Sequence, residues 1–378
     1  RVTMLAITNG KVYTALGDIH DTGTVLIDGS KIVAVGPTVE IPEGTEIVDV
    51  RGKVVLPGFV ESHSHVGIWT EGVGFEGREL NETSDPITPH IRAIDGINPN
   101  DPSFRLVREA GITTVLTGPG SANLIGGEWI ALKPVGRTVE DMILKEPAGL
   151  KMALGENPKT AYGEFKKAPV TRMAQVAMIR EQLFKAQKYA ESENPERDLR
   201  LEPLVRALRR EQRTRIHAYT VLDITNGIRF AKEFGLDPVF EHAYEAHTIA
   251  DILARENIPV SLGPFHLGRM KVEMQALTFE APGILARAGV RVAIHMDARG
   301  STALLPVFAG LAVRAGMSEE DAIKAITINS AIISGVDDRV GSLEPGKDAD
   351  VIVLSGHPFD WLTKVEKVYV NGQLVHAA

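Results

Sequence analysis

Polar and apolar residues alternate along both ends of the chain. Near the N-terminus, "AITNGKVYT" and "VLIDGSKIVAVG" each place Asn-Gly or Asp-Gly between alternating residues, which is a strong hairpin signal. The same pattern returns near the C-terminus in "DADVIVLSG" and "VEKVYVNGQLV". We therefore predict one discontinuous β domain that is built from residues 1–55 and 342–378.

Between these ends, short apolar runs alternate with amphipathic stretches. Runs such as "VVLPGFV", "ITTVLT" and "IPVSLG" have the length of buried strands, and stretches such as "TIADILAREN" have the spacing of helices. Alternation of strands and helices is typical of a parallel sheet. The pattern predicts an α/β fold and, for residues 56–341, a (β/α)8 barrel.

Two further segments are assigned to the periphery of this barrel. The strongly charged stretch over residues 171–215 is interpreted as solvated helices on the outside of the barrel. The Gly-rich "GPGSANLIGG" has neither phosphate-loop spacing, and we interpret it as a flexible barrel loop.

Composition narrows the possible partners and ligands. The 378 residues include 41 basic and 49 acidic side chains, so the net charge of −8 argues against a nucleic-acid partner. There is no cysteine, which leaves His, Asp, Glu and Lys as ligands for any metal. No apolar run reaches membrane-spanning length, so we expect a cytoplasmic protein that acts on a small molecule. A monomer and a homo-oligomer both stay open, as does removal of a leader before Arg1.

Candidate metal ligands occur at the ends of four predicted strands. His63 and His65 follow the apolar run "LPGFV", and alternate residues of a strand share one face. His-x-His alone is weak evidence, because any two polar residues can share a face by chance. However, His217, His242 and Asp297 end three further predicted strands, and barrel enzymes carry their chemistry at the C-terminal ends of strands. We interpret this recurrence as a metal site.

Several motifs resemble the amidohydrolase superfamily, and the resemblance covers nearly the whole chain. They are "VLPGFVESHSH", "IHAYT", "FEHAYEAH", "HMD" and "NSAIISGVDDRVGSLEPGKDADVIVLSGHPFD". The similarity is greatest to the branch of imidazolonepropionase and related metal-dependent amidohydrolases and dipeptidases. It implies a TIM-like (β/α)8 barrel, a small β-sandwich made from both termini, and a site for one or two divalent metals. Position by position, it implies metal ligands at His63, His65, His217, His242 and Asp297.

Members with two metals also use a bridging anion from the fourth strand. Lys151 in "GLKMAL" resembles the carboxylated lysine of some relatives, and Glu156 could instead supply a carboxylate directly. An ammonium cannot offset two dications, so Lys151 would serve only as its carbamate. We favour Lys151, since a buried lysine is costly unless it has a special role.

Four other residues are candidates for contact with a substrate. His295 and His266 lie near predicted strand ends, and His247 lies five residues after His242 in a helix start or substrate loop. Arg299 could hold a substrate carboxylate, because a planar guanidinium suits that anion; the alternative is an exposed loop arginine. The segment "DARGSTALLPV" lacks the His-Pro that often follows the aspartate in relatives.

These features together predict metal-dependent hydrolysis of a C–N bond in an amide or cyclic amide. A metal-bound hydroxide would attack the carbonyl, and Asp297 would shuttle the proton to the leaving nitrogen. Zinc is the expected ion, and Mn, Fe and Ni suit the same ligands. The alternatives are a metal-dependent deaminase of a heterocycle and a non-catalytic binding protein that retains the fold.

Overall fold

The computed structural model describes residues 4–265 and 268–378, where strands and helices alternate through the middle of the chain. The strands are β1 Leu5–Tyr13, β2 Ile19–Asp28, β3 Lys31–Gly36, β4 Glu46–Asp49, β5 Val54–Pro57, β6 Phe59–Ser64, β7 Ile112–Thr117, β8 Ile125–Glu128, β9 Ile130–Leu132, β10 Ile143–Lys145, β11 Leu150–Ala153, β12 Thr214–Ala218, β13 Pro238–His242, β14 Val260–Leu262, β15 Val292–Ile294, β16 Val351–Leu354, β17 Val365–Val370 and β18 Gln373–Ala377.

The helices lie mostly between the strands of the central segment. They are α1 Pro102–Glu109, α2 Val139–Met142, α3 Glu156–Pro158, α4 Arg172–Glu191, α5 Glu202–Leu208, α6 Val221–Phe234, α7 Ala250–Arg255, α8 Ala281–Arg287, α9 Leu305–Arg314, α10 Glu319–Ala325 and α11 Ile328–Ile333. Short 3-10 turns span Phe75–Gly77, Ala93–Gly96, Ala246–Ile249, Val272–Met274 and Gly300–Leu304, and a π-helical turn spans Lys159–Gly163.

Strands from both ends of the chain form one eight-stranded sheet. Its order is β18-β17-β16-β5-β1-β2-β3, and β4 pairs with β1 as a branch. The ends meet where β5 pairs antiparallel with β16, and residues from both ends share one apolar cluster. A β-sandwich requires a second sheet packed against the first, and among the described residues the strands from the two ends form only this one sheet. The boundaries 1–55 and 342–378 stay a prediction.

The central segment contains a TIM-barrel-like α/β arrangement of two sheets. One has the order β10-β9-β7-β6, and the other has the order β15-β14-β13-β12-β11-β8. Backbone bonds of 3.0 Å from Asp297 N to His63 O and from His65 N to Ala298 O connect β6 with the segment after β15. Over residues 4–265 and 268–378 the two sheets do not join into one closed ladder.

The predicted all-parallel (β/α)8 pattern is interrupted at β8 and β9. These strands pair antiparallel with β11 and β7 respectively. The physical reason at β9 is that no helix lies between β7 and β9, so β9 returns beside β7 without the helical crossover that parallel neighbours usually need. The interpretation of "GPGSANLIGG" as a flexible loop was therefore wrong at its end, where the last three residues lie in buried β8.

Helices cover the outside of the central strands. In α4, whose first turn is capped by the Thr171 hydroxyl, residues at helical spacing form the buried face, including Ile179 and Leu183. These side chains belong to one apolar cluster with strand residues such as Leu150 and Ile216. Across the part of the chain that is described, no helix has both the length and the apolarity needed to cross a membrane.

Candidate metal centre

The predicted ligands lie at the C-terminal ends of β6, β12, β13 and β15. Residues His217 and Ala218 of β12 align with Glu241 and His242 of β13, so the two histidines are offset by one residue across neighbouring strands. His242 and Asp297 have φ values of 70° and 49°. Non-glycine residues seldom adopt this left-handed region, and such strain tends to occur at functional sites.

Three ligand atoms from His63, His65 and Asp297 face one point. Asp297 Oδ1 lies 2.9 Å from His65 Nε2 and 3.3 Å from His63 Nε2. Despite these distances, neither His63 Nε2 nor Asp297 Oδ1 has a hydrogen-bond partner among the described residues. Two imidazole nitrogens and a carboxylate oxygen that converge without bonding to one another fit a divalent cation.

Other histidines extend this donor set. Within residues 4–265 and 268–378, both ring nitrogens of buried His217 lack a hydrogen-bond partner, and its ring centroid lies 4.6 Å from that of His242. His63, His242 and His295 form a second group whose ligand atoms lie within 4.8 Å of one another. The two groups share His63, and only its Nε2 is free because Nδ1 bonds Glu241, so His63 can serve one ion and not two.

Fixed acceptors orient the rings of three of these histidines. Nδ1 of His63 donates to Glu241 Oε2 at 2.7 Å, and Nδ1 of His242 donates to the Gly263 carbonyl at 2.7 Å. The Nδ1 of His65 lies 3.0 Å from the Gly118 carbonyl. A proton on Nδ1 leaves Nε2 free as a ligand, which is how outer partners prepare metal-binding histidines.

Charges in the cluster favour the protonation states that bind a cation. Burial lowers the pKa of His63, His217 and His242 well below the usual range, and the neighbouring Lys151 adds to the shift. Burial alone would raise the pKa of Asp297, but His63 and His65 outweigh it and hold that pKa well below its usual range. Neutral imidazoles and an ionised carboxylate are the forms that coordinate metals.

Sequence reasoning missed the buried charges beneath the ligands. Glu241 binds His63 and also forms an ion pair with Arg215, whose Nη2 lies 2.7 Å from Oε1, and both Glu241 and Arg215 are fully buried. Arg215 further donates to the Ser62 carbonyl and lies 4.7 Å from the Trp129 ring centroid. The available signal was a charged residue inside each apolar strand, in "TRIHA" and "PVFEH".

The two candidates for a bridging anion have different surroundings. Lys151 is fully buried on β11, and its Nζ lies 5.2 Å from the Trp129 ring centroid with no hydrogen-bond partner in the part of the chain that the structure describes. Burial lowers the pKa of Lys151 to about 8. Glu156 lies outside both ligand groups, and its Oε2 accepts from the Glu273 backbone amide at 3.3 Å.

The predicted substrate contacts are dispersed. His295 is fully buried, with Nδ1 2.7 Å from Ser261 Oγ and its ring stacked on His63 at 4.5 Å. His247 is half-buried in a 3-10 turn, outside both ligand groups. The guanidinium of Arg299 lies 4.2 Å from the Trp69 ring centroid. His266 falls outside the described residues.

Comparison with known proteins gives concordant matches. The model of the amidohydrolase family matches residues 209–375. Amidohydrolase tasK of Hapsidospora irregularis is 31% identical over 93% of this chain, which spans only 39% of that protein. An imidazolonepropionase of Fusobacterium nucleatum is 24% identical, over 94% of this chain and 92% of that protein. The crystal structure of an amidohydrolase from Thermotoga maritima MSB8 is 42% identical with a TM-score of 0.95, over 99% of this chain and 100% of that one.

Proposed function

This chain belongs to the amidohydrolase family, whose members act on carbon–nitrogen bonds, and we propose that it is a metal-dependent hydrolase of amides or cyclic amides. The family resemblance expected from the sequence is thereby confirmed. The observation that carries the proposal is the convergence of His63 Nε2, His65 Nε2 and Asp297 Oδ1 without hydrogen bonds among them.

We assign the binding of a divalent ion to His63, His65 and Asp297, with His217 and His242 completing the site. Zinc is the expected ion, and Mn, Fe and Ni suit the same donors. When bound, such an ion lowers the pKa of a coordinated water to about 7 and polarises a scissile carbonyl.

His295 is better suited to positioning the ring of His63, on which it stacks, than to contact with a substrate, because it is fully buried and bonds Ser261.

Asp297 has the position that a proton shuttle needs. Its side chain is 24% exposed, whereas His63 beneath it is nearly inaccessible. The carboxylate can therefore meet both the ligand cluster and a substrate that enters from the exposed side. We propose that Asp297 takes a proton from the attacking water and delivers it to the leaving nitrogen.

Lys151 is the proposed bridge between two ions. Burial lowers the pKa of Lys151, which favours the neutral amine, and only the neutral amine adds to carbon dioxide. The ammonium first loses one proton; addition of the neutral amine to carbon dioxide then forms an N–C bond and releases a second proton, so the cationic side chain becomes an anionic carbamate. Conversion to the carbamate would replace a buried ammonium, which is costly without a partner, by an anion that the bound ions would pair. Glu156 stays the alternative.

The other proposals follow from the same residues. A deaminase is the second candidate, but one-metal deaminases tend to lack the lysine bridge, and Lys151 occupies that position.

Arg299 stays a candidate for substrate contact, and His247 a weaker one. We also keep as predictions a cytoplasmic location, a small-molecule substrate and the closed barrel with a β-sandwich.

Metal analysis combined with a substrate screen tests the proposed function. We expect purified protein to retain divalent metal and, when loaded with zinc, to hydrolyse N-acyl amino acids, dipeptides ending in Pro, or cyclic ureides. A His63→Asn/His65→Asn double variant is the control and should lack both metal and activity. Ammonia release from heterocycles without amide cleavage would instead establish the deaminase. Binding of these compounds by loaded protein without any turnover would identify a non-catalytic protein.

A further inference from the structure

We infer that Lys271 binds a carboxylate of the substrate, so that the preferred substrates are amides with a free carboxylate next to the scissile bond. N-acyl amino acids and dipeptides belong to this class. The inference rests on the proposed function, because it concerns the substrate of the same site.

Lys271 lies one aromatic ring away from the ligand cluster. It follows β14 in the chain and directly precedes the 3-10 turn Val272–Met274. Its Nζ is 5.4 Å from the ring centroid of Tyr219, and that ring is 4.4 Å from His217 and 5.4 Å from His242. An anion bound by this ammonium would therefore lie beside the ligands, at the distance expected for another part of the same small substrate.

The ammonium of Lys271 is incompletely paired. Nζ donates to Asn157 Oδ1, which is neutral, and in the described part of the chain no carboxylate oxygen forms an ion pair with it within 4.0 Å. A lysine ammonium has three donors, so two are available to a ligand. The side chain of Lys271 is half-buried, and this burial lowers its pKa, while the carboxylates of Asp297 and Glu156 oppose the shift.

One neighbouring cation is already paired. Arg172 Nε donates to Asp223 at 2.9 Å, and its Nη2 pairs with Glu273. Arg299 lies over the ring of Trp69, whereas Lys271 lies over Tyr219, the ring next to His217. Lys271 is therefore better placed than either arginine to receive an anion beside His217.

An apolar wall lies next to Lys271. The rings of Tyr219 and Tyr244 stack at 4.8 Å, and they form one buried cluster with Met274 and Leu277. This wall suits the side chain of an amino acid whose carboxylate meets Lys271. In such a partly desolvated place, a charge-assisted hydrogen bond is stronger than one in water.

The test compares acids with their carboxamides in the zinc-loaded protein. The probes are N-acetyl-L-leucine against N-acetyl-L-leucinamide, and N-acetyl-L-proline against N-acetyl-L-prolinamide, with binding read by calorimetry and cleavage by release of acetate. We expect the parent to prefer the acid of at least one pair. Lys271→Gln should reduce that preference by about 10- to 100-fold, and Lys271→Arg should retain most of it. Lys167→Gln, at an exposed lysine, is the matched control.

The possible outcomes separate this inference from the proposed function. A parent that cleaves amides without preferring either acid overturns the inference alone. A parent that prefers the acids in binding, through Lys271, but cleaves nothing supports the inference and counts against the proposed function. Loss of the preference in Arg299→Gln, with Lys271→Gln unaffected, assigns the carboxylate to Arg299 and also overturns it. Should Lys271→Gln fail to fold, Lys271→Met removes the charge at similar length.

Discussion

The Nδ1 of His63 lies 2.7 Å from the Oε2 of Glu241, and neither side chain reaches solvent. The bond joins β6 to β13, two strands of different sheets, and it sets the proton of His63 on the nitrogen that faces away from Asp297. Arg215 forms an ion pair with the other oxygen of the same carboxylate, with its Nη2 at 2.7 Å. The Glu241 carboxylate is thus held by the Arg215 cation on one side and orients the ring of His63, a candidate metal ligand, on the other.

Loss of the Glu241 charge should weaken metal binding. In Glu241→Gln the amide can still accept from His63, but it no longer increases the basicity of the ring. Removal of such outer partners typically costs 10- to 100-fold in metal affinity, and we expect a loss of about that size in a chelator competition. Glu128→Gln is the matched control, because Glu128 is also buried and bonded to an arginine, Arg206, outside the ligand groups. Equal metal affinities in both variants would contradict the positioning role.

Asp297→Asn should separate chemistry from folding. Asparagine has the same size and tolerates the left-handed backbone at φ 49° better than most residues. We expect an unfolding midpoint within a few degrees of the parent, most metal retained by the histidines, and turnover lower by a factor on the order of 10² or more. Near-parental turnover in a metal-loaded variant would remove Asp297 from the mechanism. Loss of fold in step with activity would indicate a capping role instead.

The strand ends could be located from the sequence because two local rules act together there. A barrel strand appears as an apolar run, and a polar residue that follows it faces the same edge of the sheet as its counterparts on other strands. This reasoning led to His63, His65 and Asp297, which the structure brings together. Their role as metal ligands stays a prediction.

The partners beneath the ligands could not be located in the same way. Glu241 and His63 are 178 residues apart in the chain, and no periodicity of either strand indicates which buried charge meets which. The antiparallel β8 was missed for a different reason. In the sequence, glycines such as Gly127 indicate a loop. In the structure Gly127 has a φ of 126° and a Cβ there would meet the Ile91 carbonyl oxygen at 2.4 Å, so glycine permits close packing within a strand.

Lys133 should matter for stability in a pH-dependent way. Its Nζ bonds Asp348 at 2.7 Å and Asp350 at 2.9 Å, and so connects the segment after β9 to the segment before β16. Lys133→Met leaves two buried carboxylates without this cation, for which a loss of about 3–5 kcal/mol is typical. Asp348 would still form ion pairs with Lys31 and Arg339, so most of the lost stability would come from the unpaired Asp350.

The sign of the pH dependence follows from Asp350, whose pKa burial already raises while Lys133 opposes the shift. Without the lysine that pKa rises further, so the folded state binds a proton that the unfolded state releases, and stability falls as pH rises. Urea unfolding should therefore show a larger loss for Lys133→Met at pH 8 than at pH 5. Adding Asp350→Asn should recover part of the loss at pH 8. An equal loss at both pH values would exclude Asp350 as the source.

Lys151 gives the sharpest test of whether the centre holds two ions. If its amine carries a carbamate, mass measurement under gentle conditions should show an added carboxyl group on the peptide that contains Lys151, and protein reconstituted without bicarbonate should bind less metal. Lys151→Ala should lose metal, and small carboxylic acids should restore part of it by occupying the vacated volume. Lys151→Met is the matched control, because it fills that volume without an anion and should not respond to the acids. Full metal content in Lys151→Met would show that no bridge from this residue is needed, and loss of metal in Glu156→Gln would then assign the bridging role to Glu156.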